Sequence, residues 1–393
     1  MSAFELVKKP INEIRELLAE HAAELRETKF ADVHLIKFKP ETNVGHPDVN
    51  RLKGLIFNSK TQQVCSLTYP VPVEVKDFTP AEQDQFVTDI STAPGGYSVQ
   101  EALDGTLLRL WFNTSTNNWI LSTNGKEDAR DAYWMNGCSF DEQFWSAKPN
   151  IQMDTLNKNY TYLFILCHPL NVIVVNHTTP QVYHVATYDH ATLNEVTDTS
   201  GDCGVPRLPN IPLTIEEVQA KTRECVGRPV QSAGYMVIVG ERGSPMTPSS
   251  TAPVAPPKRY RFENANYTRA REIRGDSNNI SFHLLGLLLD SDPTPLEEFL
   301  QYYPIYAVDT DALHKRLTAL VTKFYREYGA RYKQRMELFI HPRHHKFMGE
   351  IHTQLYLAQL KGMGKTVQFQ DILEFVKKQP VAKVLYLLNY IYD

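Results

Sequence analysis

The chain has 393 residues, 42% of them hydrophobic and 22% charged, and a formal net charge of −4. That is enough apolar chain for a large core and two domains, and the charge balance excludes a globally basic nucleic-acid binder while leaving a local basic groove open. No run approaches the roughly 18 apolar residues of a membrane helix, and Glu5, Lys8 and Lys9 interrupt the stretch where a signal peptide would be apolar. An intracellular protein, cytoplasmic or nuclear, with no membrane partner is therefore expected. Cys65, Cys138, Cys167, Cys203 and Cys225 are odd in number, widely spaced and never form Cys-x-x-Cys. Reduced thiols are expected, not a disulfide framework or a zinc site.

Behind Pro10, the spacing of Ile11, Ile14, Leu17, Leu18, Ala22 and Leu25 predicts an amphipathic helix over 10–27. From Val33 the pattern changes to short strand-like runs, such as Val33–Phe38, which continue through Val175 and Tyr183–Tyr188. Residues 243–257, rich in proline and serine, suit neither ladder nor helix. They are read as a loop within a domain, with docking of a protein partner as the alternative. From about Ser281 the periodicity is helical to Asp393. The expected fold class is α+β: residues 1–280 forming a domain of mixed antiparallel sheets, and residues 281–393 an all-α C-terminal domain.

The segment Tyr97–Trp111 contains Ala102-Leu103-Asp104-Gly105-Thr106 followed by apolar residues. Alone, Asp-Gly before a strand is an ordinary turn. Its flanks add more. Upstream lie Arg51–Asn58 and Thr61–Pro70, which read as paired strands. Downstream come Trp119–Lys126, then Tyr160–Val175, Ser232–Val239 and Lys258–Thr268, each a strand with a loop or helix behind it.

In order and spacing these segments resemble the phage-type ATP-dependent RNA ligases of the covalent nucleotidyltransferase superfamily, over roughly residues 50–275. The resemblance implies an ATP-grasp-like ligase domain in which a lysine of Lys-x-Asp-Gly attacks the α-phosphorus of ATP, forms a lysyl-adenylate and passes AMP to a 5′-phosphate end. Lysine does this once its amine is made nucleophilic by burial or neighbouring cations. Ala102 stands at that lysine's position. Ile165 and Ala233 stand where the family has glutamates, Val172 where it has arginine, and Arg259 and Arg261 where it has two lysines. Arginine retains charge and binds phosphate through its fork, without reproducing a compact ammonium beside a reacting phosphorus.

On this resemblance no catalytic residue is intact. Asp104, Gly105, Lys126, Arg259 and Arg261 are the expected nucleotide-binding residues, for ATP or another nucleotide, with Mg2+ needed only if activity persists. RNA is an expected partner. The C-terminal run Lys315, Arg316, Lys323, Arg326, Arg331, Lys333 and Arg335, interleaved with Tyr325, Tyr328 and Tyr332, offers cations for phosphates and rings for stacking. A charged helix face with its tyrosines turned to the core is the equal alternative.

Three other patterns imitate functional motifs. Lys126-Glu127-Asp128-Ala129 imitates the nucleophile motif but lacks its glycine, and reads as a solvated loop or a helix start. Gly362-Met363-Gly364-Lys365-Thr366 ends like a P-loop, yet position 359 is Gln, and it reads as a helix end. His341, His344, His345 and His352 read as a structural or solvent-facing cluster rather than a metal site, with RNA contact as the alternative. The leading functional expectation is a ligase-like protein that binds nucleotide or RNA ends without adenylating itself. One alternative is an active divergent ligase using Lys53 or Lys126. Another is a scaffold acting through the proline-rich loop or the C-terminal helices.

Overall fold

In the computed structural model, which describes residues 3–44, 46–93, 96–134, 137–196, 199–224, 227–240, 257–275, 279–337 and 339–389, the N-terminus opens with α1 (Ala3–Val7) and α2 (Ile11–Glu20). Ile14 and Leu18 are buried on the face of α2 that the apolar spacing predicts. The helix expected to reach residue 27 stops earlier. Ala22 takes a φ of +55°, which a right-handed helix cannot contain. Ala23–Glu27 then form strand β1, with Leu25 opposite Ile36 of β2 (Val33–Phe38). The period of 3.6 thus gives way to one of 2 inside a run that both periods fit.

The short α3 (Pro47–Asn50) leads to β3 (Ile56–Asn58) and β4 (Gln63–Ser66), completing an antiparallel sheet in the order β1-β2-β3-β4. A second sheet draws on distant segments: β5 (Val73–Glu74), β6 (Tyr97–Glu101), β11 (Gly234–Val239) and β12 (Lys258–Glu263), in the order β5-β12-β11-β6. Its one parallel pairing joins β5 to β12. The third sheet, β10-β9-β7-β8, contains β7 (Thr106–Asn113), β8 (Asn118–Thr123), β9 (Tyr160–Cys167) and β10 (Gln181–Asp189), all antiparallel. The expected continuation of strand to Val175 does not form. After Cys167 the chain turns, and the N–H groups of Val174 and Val175 go to a side chain instead of a ladder.

Three helices open with a reciprocal cap in which an N-terminal hydroxyl and a glutamate three residues on satisfy each other's backbone N–H. They are α4 (Pro80–Thr92) through Thr79 and Glu82, α5 (Phe140–Ser146) through Ser139 and Glu142, and α6 (Ile215–Arg223) through Thr214 and Glu217. Phe86 of α4 and Val218 of α6 pack on Val99, Val237, Tyr260 and Phe262 of the second sheet. Phe140 and Phe144 of α5 pack on Leu108, Leu110 and Phe164 of the third.

The chain divides into two compact units, residues 1–271 and 272–393, with α7 (Ala265–Arg274) running across the division. The second unit is helical: α8 (Ile280–Leu289), α9 (Thr294–Tyr302), α10 (Ala307–Tyr328), α11 (Pro342–Glu350), α12 (Phe369–Lys377) and α13 (Val381–Leu388). Helices α8, α10, α11, α12 and α13 surround a core that includes Leu285, Leu320, Phe324, Phe347, Ile351 and Val384. The molecule is therefore α+β with mostly antiparallel sheets, followed by a helical C-terminal region. Among the described residues no helix is long and apolar enough to cross a membrane. Residues 243–256 of the proline-rich stretch, and Cys225, lie outside the described residues.

Candidate functional site

Residues Ala102–Gly105 do not close a hairpin. They carry the chain from β6, in one sheet, to β7, in another. The crossing is held by Asp104. One carboxylate oxygen accepts the N–H groups of Val174 (2.8 Å) and Val175 (2.7 Å), and the other accepts the hydroxyl of Tyr267 (2.8 Å). Asn171 donates to the Thr106 hydroxyl at 2.6 Å, and His177 meets the Asp104 carbonyl at 2.6 Å. Gly105 is fixed by contact: a Cβ there would lie 2.6 Å from the Leu166 carbonyl oxygen and 2.7 Å from Cγ2 of Ile165. Asp104, which the sequence suggests as a nucleotide ligand, is thus engaged in bonds within the crossing.

Beside this crossing lies a cavity of about 200 Å³ whose wall includes Lys53, Tyr69, Glu101, Ala102, Gly105, Asn124, Ile165, Ile238, Arg259 and Arg261. Six positions singled out by the sequence, Lys53, Ala102, Gly105, Ile165, Arg259 and Arg261, come together here. Ala233 does not line the cavity but is close by: it is buried at the foot of β11, its carbonyl accepts the Asn264 N–H, and the next residue, Gly234, accepts the N–H of Ala102 at 3.0 Å. Val172 and Lys126 are not in the wall either. Lys126 is exposed in a tight turn closed by the side chain and backbone of Thr123. The adjacent Asp128 is buried and bonded by Lys29 and Arg130. Burial would raise its carboxyl, but these partners hold it down at about 2.

The cations of the cavity differ in what they already hold. Arg259 is buried, with Nη2 2.6 Å from Glu195 Oε2, and its guanidinium lies 4.6 Å from the ring centroid of Tyr69. Burial alone would lower its pKa, yet Glu195 raises it above the usual value. Arg261 lies 3.4 Å from Glu263 and 3.9 Å from Glu74. Lys53 has neither ion pair nor hydrogen bond to its amine among the described residues, and burial pushes its ammonium below the usual lysine range.

Lys53 is set in place by a feature the sequence analysis missed. Gly54 takes a φ of +72° and donates to the Ile36 carbonyl at 2.9 Å, while its own carbonyl accepts from Nη1 of Arg109. Arg109, on β7, is completely buried and also donates to the Thr123 carbonyl at 2.7 Å. Among the described residues it pairs with no carboxylate, and burial lowers its pKa to about 9. Arginine inside the apolar run Leu107-Leu108-Arg109-Leu110-Trp111 was the available signal, since a charge there must find buried partners.

Divalent-metal chemistry finds few donors. Glu101 is the one carboxylate in the cavity wall, Ile165 contributes only carbon, and among the described residues no group of three or more His, Cys, Asp or Glu is arranged to hold a metal ion.

In the second unit, Lys315 pairs with Asp311 at 2.6 Å, Arg316 donates to the Leu388 carbonyl at 3.0 Å, and Lys333 donates to the Val367 carbonyl at 2.9 Å. Lys323 and Arg326 lie on α10, Arg331 lies beside the Tyr332 ring, and Arg335 follows beyond the helix with a φ of +56°. Tyr328 is in the helical core, Tyr325 and Tyr332 pack against it, and Tyr332 stacks on His352 at 4.0 Å. His344 is buried and meets the Leu387 carbonyl at 3.2 Å. These rings are engaged within the unit. Gly364, with a φ of +67°, ends a helical turn.

No family model matches the chain. It is similar to the immediate-early protein ICP-46 homolog of Invertebrate iridescent virus 3, with 21% identity over 298 residues that cover 73% of this chain and 61% of that protein, so it spans less than two thirds of that relative's length. Among solved structures it is similar to an archaeal ATP-dependent RNA ligase, with 12% identity, 95% of this chain and 88% of that chain covered, and a TM-score of 0.41. A mutant RNA ligase of Naegleria gruberi with ATP and Mn has 13% identity, 51% and 58% coverage and a TM-score of 0.32.

Proposed function

We propose that the first unit is a degenerate RNA-ligase-like nucleotidyltransferase domain whose cavity binds a nucleotide or a nucleotide end without forming a lysyl-adenylate at position 102. The observation that carries this reading is the meeting of Ala102, Gly105, Ile165, Arg259 and Arg261 in one cavity. A methyl group faces that cavity where the resemblance places a nucleophilic amine, and alanine cannot attack phosphorus. The apolar Ile238 and Ile165 offer surfaces for a base, and the cations offer charge for phosphate. A volume of about 200 Å³ is below the roughly 300 Å³ at which small-molecule pockets usually begin. The cavity therefore takes the base, the sugar and the phosphate that meets its cations, and the remaining phosphates extend past it.

A second reading, nucleotidyl transfer to another lysine, has one observation in its favour: Lys53 lines the cavity with a lowered pKa, whereas Lys126 does not line it. RNA as a partner belongs to the same proposal. A protein partner is the scaffold alternative.

One experiment separates these readings. The chain is incubated with ATP labelled in its α-phosphate, with magnesium or manganese, and run on a denaturing gel. No label on the protein, together with nucleotide binding in the native state, is the expected result. Label that survives denaturation overturns the non-adenylating reading, and its mapping to Lys53 establishes the second. Ala102→Lys alone is expected to stay unlabelled, because positions 165 and 233 still lack carboxylates.

A further inference from the structure

We infer that the cavity takes its anionic nucleotide without a divalent metal, the ammonium of Lys53 supplying the positive charge that a metal supplies in an active nucleotidyltransferase. The inference rests on the nucleotide-binding reading above and adds to it the cation that meets the phosphates.

Two facts about the wall lead here. The first concerns donors. The positions where the resemblance expects acidic groups near metal-bound phosphates are Ile165 and Ala233, and the wall retains a single carboxylate, Glu101. Magnesium keeps several waters and relies on carboxylates together with substrate phosphates, so a wall whose other oxygen donors are the neutral side chains of Thr68, Gln100 and Asn124 gives it a poor seat. The second concerns charge. Arg259 is neutralised by Glu195, and Arg261 is held near Glu74 and Glu263, the latter shared with Lys76 and Arg271. Among the described residues Lys53 is the cavity cation that forms no ion pair or hydrogen bond through its side chain.

Its placement is built rather than incidental. Leu52 and Leu55, on either side, are buried in the core, Gly54 supplies the left-handed turn between them, and Arg109 clamps that turn by its carbonyl. A compact, partly desolvated point charge on a fixed turn resembles a metal ion in what it offers a phosphate, and it needs no rearrangement to act. Glu101 is the opposing charge in the same wall, and its repulsion is part of what Lys53 must offset.

The test is calorimetric titration of the full chain with ATP, once in excess EDTA and once in magnesium. Affinity in EDTA is expected within about threefold of that in magnesium, Lys53→Met is expected to weaken binding at least about tenfold in both conditions, and Lys53→Arg is expected to retain most of it. Glu101→Gln is expected not to weaken binding in magnesium. Binding that requires magnesium, an unchanged Lys53→Met, or a loss in Glu101→Gln confined to magnesium overturns the metal-free inference while leaving nucleotide binding in place. No binding in either condition overturns both. Circular dichroism melts of each variant separate lost binding from lost fold, and the arginine variant decides the matter if the methionine variant fails to fold.

Discussion

Arg109 shows how one side chain can shape the cavity without lining it. Its guanidinium is fully buried and holds the carbonyls of Gly54 and Thr123, one beside Lys53 and the other beside Asn124, both residues of the cavity wall. Removing a buried donor leaves its acceptors unsatisfied, which costs more than the bond itself contributes. Arg109→Met is therefore expected to lower stability by roughly 2–4 kcal/mol in urea titration and to weaken nucleotide binding through the displaced Lys53 turn. A variant as stable as the parent would show that the clamp is unnecessary. None of this could be read from the sequence beyond the oddity of the arginine, because its partners lie 55 and 14 residues away. The same applies to Arg259. Its type and position are plain in the chain, but the Glu195 that neutralises it lies 64 residues away and belongs to no motif.

The crossing from β6 to β7 is the element on which the cavity depends. Gly105 allows β7 to lie against β9 with no room for a methyl group, since the nearest obstacle is the backbone oxygen of Leu166. Gly234, at the start of β11, is tighter still: its φ is +128°, and a Cβ would fall 2.0 Å from the Phe262 carbonyl oxygen. Gly105→Ala is expected to cost at least about 2 kcal/mol, through overpacking against a backbone that cannot yield. Gly125→Ala, where a Cβ meets nothing within 4 Å, is the control expected to change little. Equal melting temperatures for the two variants would contradict this account of the crossing.

Strands with strong alternation or long apolar runs, such as β2, β9, β10 and β11, were legible in the sequence because a period of 2 and β-branched content favour no other element. The end of α2 was not, because Leu25 fits both periods and only the left-handed Ala22 decides between them. Nor was the loop after β9, where an apolar run of strand type gives its N–H groups to Asp104.

For the molecule as a whole, buried and half-buried histidines govern the response to mild acid. Burial holds the imidazoles of His34, His168 and His190 in the first unit, and His283, His344 and His352 in the second, below their usual range, with His190 at about 4. The folded chain keeps these groups neutral while the unfolded chain protonates them near pH 6.5. Between those limits the unfolded state binds more protons, so stability is full above about pH 6.5 and falls as pH drops toward 4. Glu74, Asp141 and Glu327, raised by burial, act in the opposite direction in part of that window, but they are fewer. A loss of roughly 2 kcal/mol between pH 7 and pH 5 is expected in denaturant titrations. Unchanged or greater stability at pH 5 would contradict it.

The central claim, a nucleotide cavity beside Ala102 with no covalent capture there, is tested most directly by determining the structure of the chain crystallised with ATP. The account predicts an intact nucleotide with its base among Ile165 and Ile238, its phosphate within hydrogen-bonding reach of Lys53 Nζ, and the methyl group of Ala102 facing it unreacted. ATP bound at some other place, or AMP joined to a lysine of this cavity, would contradict it.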